Sequence, residues 1–389
     1  MFETLNQLDC GTCELSKTCI TPRMPPTGQG LRNILIVAEA PGETEDQEGI
    51  QLIGRSGMYL RRKLTKAGVN LDQDCIKTNA ICCHPPGNRT PKEKEVKFCQ
   101  PRLLQTIQEY QPKLIILLGG IAMKSFLHVS GVGHSSSIFQ WEDYIIPETG
   151  WNCWAAPTFH PAFILRNQDN PYADARFELA IKKAVAHLNR PLPAPIDLQH
   201  SVRVFHTEEA AEAGLEGLLK KAPELLSIDY ETTGLKPYIK GHEIVYISYC
   251  YHPDQAYCFR LTPGLMPLWR EVLTHPKIGK IAHNMDFEAA WSRIILGVEV
   301  SPWAWDTMLA THILDNRKGT NDLKFQAYLN FGVRDYDSHI SPYLKSPKDE
   351  SDNAFNRVKE APPEEIMVYC GLDSLFSYRL TLKQRMKFT

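Results

Sequence analysis

The chain has 389 residues, with 43 Lys plus Arg against 45 Asp plus Glu and a hydrophobic fraction of 43%. That length suits two or three domains, and the apolar content excludes a mostly disordered chain. No run approaches 18 consecutive apolar residues, and the start MFETLNQLDCGTC lacks the basic and apolar regions of a secretory signal, so a cytoplasmic protein with no membrane span is expected. Residues 1–200 carry 21 basic and 20 acidic residues and 201–389 carry 22 and 25, so any nucleic-acid surface must be a local patch. Eleven cysteines, an odd number, argue against a disulfide framework and for metal or cluster ligands.

In chain order, Ile34 to Ala38, Ile76 to Ile81 and Leu114 to Leu118 read as buried parallel strands. Helical patterns run between them at Met58 to Ala67 and Lys92 to Glu109. Strands alternating with helices predict an α/β domain with a parallel sheet. Arg190-Pro-Leu-Pro-Ala-Pro-Ile196 reads as a proline-stiffened linker, which sets domains at 1–190 and 201–389 about a linker at 191–200. Beyond it, Val202 to Phe205, Glu224 to Tyr230 and Ile244 to Tyr251 read as strands and Glu208 to Lys220 as a helix. The pattern from Asp286 onward is mainly helical, with a loop expected near 344–364.

The first chemical constellation is Cys10-x-x-Cys13 with Cys83 and Cys99 downstream, 15 residues between them. Four thiolates can hold zinc or an iron–sulfur cluster, and spacing alone does not choose. Cys19 and Cys82 are neighbouring substitutes; Cys75, Cys153, Cys250, Cys258 and Cys370 read as packing residues. Around these thiols run Ala38-Glu-Ala-Pro-Gly-Glu-Thr-Glu-Asp46, Gly54-Arg-Ser-Gly57, Thr78-Asn79, Cys83-His-Pro-Pro-Gly-Asn-Arg-Thr-Pro91 and His160-Pro161-Ala162. In these motifs the chain resembles the family 4 uracil-DNA glycosylases over about residues 5–190. The resemblance implies that Cys10, Cys13, Cys83 and Cys99 hold a [4Fe-4S] cluster. Such an enzyme extrudes the target base into a pocket. Asn79 then occupies the base-reading position, where an amide offers both donor and acceptor. His160 is the donor to the leaving base, and Glu39 is the candidate for positioning water. The basic cluster Arg55, Arg61, Arg62, Lys63 and Lys66 is either a phosphate contact or a solvated helix face.

Two positions depart from that pattern. The family's stacking aromatic is Leu52 here, within Gln51-Leu-Ile-Gly54, and the Gly before Glu39 is Ala38. Base–aromatic stacking is worth about 1–3 kcal/mol, and a methyl at Ala38 narrows the approach of a flipped nucleotide. The expectation is therefore a glycosylase-like domain that binds DNA without efficient excision. The alternatives are a bifunctional enzyme that also removes uracil, and a non-catalytic DNA- or polymerase-binding module.

The second constellation is Ser227-Ile-Asp229-Tyr-Glu231. Two acids two apart on a strand share one face, an arrangement that suits Mg²⁺ or Mn²⁺. Ala282-His-Asn-Met-Asp286-Phe-Glu288 adds another acid near a helix start, and Tyr369 and Asp373 stand at i and i+4. The order of these motifs, with Asp306-Thr-Met between the second and third, resembles the tyrosine-bearing DEDD 3′–5′ exonucleases, the proofreading domain of family-A DNA polymerases above all. The resemblance implies a ribonuclease-H-like mixed-sheet domain holding two Mg²⁺ or Mn²⁺. Asp229, Glu231 and Asp373 would be direct ligands, Glu288 would stand in for the usual Asp, and Tyr369 would orient the attacking water. Asp286 is a weaker substitute.

The expected whole is an α/β protein: a glycosylase-like parallel-sheet α/β/α domain, then the exonuclease domain. The chain stops about 16 residues after Asp373, which leaves no room for a polymerase and suggests the front half of certain phage polymerases. Expected partners are single-stranded 3′ ends of DNA, uracil-containing DNA and a polymerase subunit, in the cytoplasm of a bacterial host.

Overall fold

Ile34-Leu-Ile-Val-Ala38 has no polar position, so neither face of this segment can meet water. Such a strand is stable only inside a sheet covered on both sides. In the computed structural model, which describes residues 13–132, 137–167, 169–346 and 354–388, that is its setting. The chain divides into two units, one of residues 1–195 and 328–334, the other of 196–327 and 335–389.

The first unit is built on β1 (Ile34–Ala38), β2 (Cys75–Asn79), β3 (Leu114–Leu118), β4 (Ile146–Glu148) and β5 (Cys153–Thr158), in the order β2-β1-β3-β5-β4. The first four in that order are parallel, and β4 is an antiparallel edge. The sequence reading missed β4 and β5, which are short and carry Pro147, Trp154 and Pro157 rather than a clean apolar run. Helices Arg55–Lys66 and Pro171–His187 cover the sheet, setting Tyr59, Leu60, Leu64, Phe177 and Ile181 into one core with β1 and β3. Most of the basic cluster on the first of these helices is already paired. Arg61 binds Asp72, Lys63 binds Asp174 and Glu178, and Lys66 binds Glu178.

The second unit contains β6 (Val202–Phe205), β7 (Leu225–Thr232), β8 (Ile244–His252), β9 (Gln255–Arg260), β10 (Gly279–Ala282) and β11 (Trp303–Asp306), in the order β11-β10-β7-β8-β9-β6. The meander β7-β8-β9 is antiparallel, while β10 and β11 run parallel to β7. This is the ribonuclease-H-like arrangement, with β6 added parallel to β9. β9, β10 and β11 are further strands that the sequence reading did not isolate. β10 has only four residues, and β11 (Trp-Ala-Trp-Asp) lacks the β-branched run that marks a strand. The 26-residue helix Pro363–Phe388 packs on the sheet, with Ile366, Tyr369, Cys370, Asp373 and Phe376 all buried. The expected loop near 344–364 falls partly outside the described residues; Pro363 already opens this helix.

Candidate functional site

The candidate metal centre begins with the pleat of β7. Asp229 and Glu231 face one side, in register with Ser248 and Tyr246 of β8. The intervening Tyr230 turns to the other side, where its hydroxyl meets Ser292 at 2.9 Å and accepts from the Trp269 indole at 3.0 Å. Period two thus separates a charged face from a packed one.

Three further elements close on that face. The helix Met285–Trp291 carries Glu288, and Asn284 just before it adopts the left-handed conformation (φ 75°) that turns the chain into the helix. Asp306, at the end of β11, accepts from the backbone N–H groups of Asn284 and Met285 at 3.2 and 3.0 Å. It also caps its own helix at Met308 and Leu309. One carboxylate therefore fixes two helix N-termini, and through the first of them the position of Glu288. Tyr369 and Asp373 lie one turn apart on Pro363–Phe388. Asp229, Glu288 and Asp373 line one open cleft with Lys324. Asp286, the alternative to Glu288, is not among that cleft's lining residues.

Burial pushes the Asp229 carboxyl up to about 8, and neighbouring Asp373 adds to the shift. Burial raises Glu231 as well, with Asp229 and Asp373 reinforcing it. Glu288 is raised by burial and then by Asp229, and its Oε2 is buried without a hydrogen-bond partner. Clustered acids of this kind hold protons unless a cation replaces them. Among the described residues, the ligand atoms of Asp229, Glu231 and Cys370 all lie within 4.8 Å of one another. The donor set fits a divalent cation.

Two residues that the motifs did not mark complete the centre. Tyr336 donates to Asp373 Oδ1 at 2.5 Å. Lys324 donates to the Tyr369 hydroxyl at 3.0 Å and lies 4.0 Å from Asp373 and Asp337. Burial works against the Lys324 charge, but Asp373, Asp337 and Asp322 outweigh it and its pKa is raised. No motif spacing marks a lone Lys or a lone Tyr; both are found only by their distance to Tyr369 and Asp373. Lys324→Met should lower kcat with little change in KM, and Lys324→Arg should restore part of the loss. A hydrogen bond to a charged group is worth about 1.5–3 kcal/mol, roughly ten- to hundred-fold in rate. Steady-state kinetics on a single-stranded oligonucleotide check this.

In the first unit, Glu39 follows β1, Asn79 ends β2 and His160 follows β5. All three stand at or just beyond the carboxyl ends of parallel strands, where such sheets place ligands. Gly119 (φ 89°), after β3, admits the close approach of His160: a Cβ there would stand 3.0 Å from His160 Cβ. Burial, aided by Arg166, lowers His160 to about 4, so its ring is neutral near pH 7. Its Nδ1 accepts from Ala162 N–H at 3.1 Å, which leaves the ring proton on Nε2. Burial raises Glu39.

Asn79 is not free. Its amide donates to the Gln51 side-chain oxygen, and the Gln51 amide donates in turn to the Pro25 carbonyl at 3.2 Å. Gln51 is wholly buried and Asn79 nearly so. Leu52 has φ 55° and packs into the core beside Tyr59 and Phe159.

Of the thiol set, Cys10 lies outside the described residues. Cys13, Cys83 and Cys99 are buried in one cluster with Leu15, Ile81 and Val96, and Cys19 packs against it. Cys83 Sγ accepts the Arg23 N–H at 3.2 Å, and Cys19 and Cys82 make thiol contacts with Cys83 and Cys99. A buried, sulfur-only donor set that accepts a backbone N–H suits an iron–sulfur group.

Residues 25–188 match the Uracil DNA glycosylase superfamily, and residues 202–387 match the family described as 3'-5' exonuclease. The type-4 uracil-DNA glycosylase of Pyrobaculum aerophilum is 34% identical over 159 residues, covering 41% of this chain and 80% of that protein. The DNA polymerase of Bacillus phage SP01 is 23% identical over 399 residues, covering 92% of this chain and 40% of the polymerase. A solved structure of Brucella melitensis NrnC with bound Mg²⁺ is 18% identical, covers 48% of this chain and 78% of that one, and has a TM-score of 0.35.

Sheet order, carboxylate centre and family matches define a glycosylase-type α/β unit followed by a 3′–5′ exonuclease unit, the fold class expected from the sequence. Through its first unit, the chain belongs to the type-4 uracil-DNA glycosylase family. Among the described residues, no helix is long and apolar enough to cross a membrane.

Proposed function

We propose that this chain is a divalent-metal-dependent 3′–5′ DNA exonuclease, acting on single-stranded 3′ ends in replication proofreading or repair, with a phage-infected bacterial cytoplasm as its setting. Residues 1–190 form its DNA-binding, glycosylase-like domain, 191–200 the linker and 201–389 the nuclease domain. The observation that carries the reading is the acid face itself: Glu231, Glu288 and Asp373 are buried beside half-buried Asp229, with one Glu288 carboxylate oxygen unpartnered.

Asp229, Glu231 and Asp373 would hold two Mg²⁺ or Mn²⁺, with Glu288 reaching the same centre by its longer arm. Bound ions of this kind generate hydroxide near neutral pH and stabilise the leaving oxygen. The chain's own residues do the positioning. Tyr369 orients the attacking water, Lys324 anchors the phenol so that its O–H points away from the ammonium, and Tyr336 fixes one oxygen of Asp373. In the first unit, Cys10, Cys13, Cys83 and Cys99 would hold a [4Fe-4S] cluster in a structural role. The similarity to a phage polymerase over nearly the whole chain supports a polymerase subunit as partner.

The test is a 5′-labelled single strand incubated with protein. Mg²⁺ should produce a ladder of 3′-shortened products, and EDTA or a 3′-blocked end should suppress it. Shortening that persists in EDTA would sink the reading.

A further inference from the structure

Cys370 follows Tyr369 on the helix Pro363–Phe388, and the sequence alone reads it as packing. Its thiol is wholly buried and donates toward Asp229 Oδ2 at 3.5 Å. Its backbone is pinned at the same point, since Ser248 Oγ, in register with Asp229, donates to the Cys370 carbonyl at 2.7 Å.

We propose that Asp229, Glu231 and Cys370 form a mixed oxygen–sulfur site that captures a thiophilic divalent cation of the zinc–cadmium class. The proposal rests on the metal-dependent nuclease reading and adds a soft ligand to it. The three ligand atoms lie within 4.8 Å of one another. A tetrahedral ion with arms of about 2.3 Å to sulfur and 2.0 Å to oxygen spans an S···O edge of roughly 3.5 Å, the separation found here between Cys370 and Asp229. A second observation points to a ligand independently: Glu288 Oε2 is buried, unpartnered and on the cleft that Asp229 lines.

Hard and soft cations would then divide the same acids. Mg²⁺ accepts oxygen ligands and leaves the thiol protonated. A zinc-class ion takes Asp229 and Glu231 together with Cys370; the Cys370 S–H bond breaks, the proton leaves to solvent and the S–metal bond forms, with no change of oxidation state. Such an ion holds the acids that the nuclease reaction requires, so thiophilic metals inhibit.

The test uses the full, cluster-loaded chain with ¹¹³Cd²⁺ as probe. Wild type should give a ¹¹³Cd resonance in the mixed oxygen–sulfur range. Cys370→Ser should move it to the all-oxygen range, and Asp229→Ala should remove it. Cys370→Ala provides a second replacement should Ser be tolerated poorly in a buried position. In parallel, the Cd²⁺ concentration that halves Mg²⁺-driven shortening, each protein taken relative to its own uninhibited rate, should rise at least ten-fold without the thiol. A wild-type resonance already in the all-oxygen range, or one that Cys370→Ser leaves in place, overturns the proposal, as does the lack of any resonance. Loss of Mg²⁺-dependent shortening in wild type would overturn the nuclease reading instead, while a thiol-dependent ¹¹³Cd signal would still stand.

Discussion

Asp229→Ala is expected to remove Mg²⁺-dependent 3′ shortening, with a loss of roughly 10³-fold or more. Metal-borne charge stabilisation supplies several kcal/mol to such a reaction, and each 1.36 kcal/mol is about ten-fold in rate. The same substitution should act in the opposite direction on the metal-free protein. Asp229 is forced into a site where burial and Asp373 raise its carboxyl to about 8. Between its ordinary value near 4 and about 8, the folded chain holds a proton there that the unfolded chain has lost. Stability therefore falls as pH rises through that window. In EDTA, the Tm of wild type should drop between pH 5 and pH 8, and Asp229→Asn should flatten that drop. Mg²⁺ should restore wild-type Tm near pH 8 and do less for the variant. A variant that keeps its ladder, or a metal-free wild type that gains stability toward pH 8, would refute this account of the centre.

Uracil excision is the second large effect. A 3′-protected strand with one internal uracil, held in EDTA and then treated with alkali, should show no cleavage by wild type. The reason lies in two neighbouring residues. One Asn79 amide N–H is taken by Gln51, itself held by Pro25, so a base must displace a buried side chain before it can use that donor. Leu52 is turned into the core at φ 55° and offers no ring to stack on. Gln51→Pro with Leu52→Phe frees the amide and returns an aromatic to the segment. Stacking alone is worth about 1–3 kcal/mol, roughly five- to 150-fold, and the freed donor should add to it. Alkali-labile cleavage by wild type that depends on Asn79 would instead establish the bifunctional enzyme.

The motifs that name the chemistry are legible because they are local. Asp229 and Glu231 share a face by the period of a strand, and Tyr369 and Asp373 share one by the period of a helix. Cys10-x-x-Cys13 and Asn79 are marked by neighbours in the chain. Ile34–Ala38 and Leu114–Leu118 emerge as strands because an unbroken apolar run has nowhere to be but a covered sheet. By contrast, β4, β5, β10 and β11 are held by pairing partners, and their own residues announce no period.

What the sequence by itself determined was the two classes of chemistry, the order of the two domains and the local motifs from which the candidate residues of each are drawn. What only the tertiary structure decided was the company those residues keep. Gln51 meets Asn79 from 28 positions away, Lys324 meets Tyr369 from 45, and Cys370 meets Asp229 from 141. Such contacts follow from strand order and helix docking, and the energies that set them (burial, charge pairing and the cost of an unpartnered donor) act between atoms brought close in space, whatever their separation along the chain.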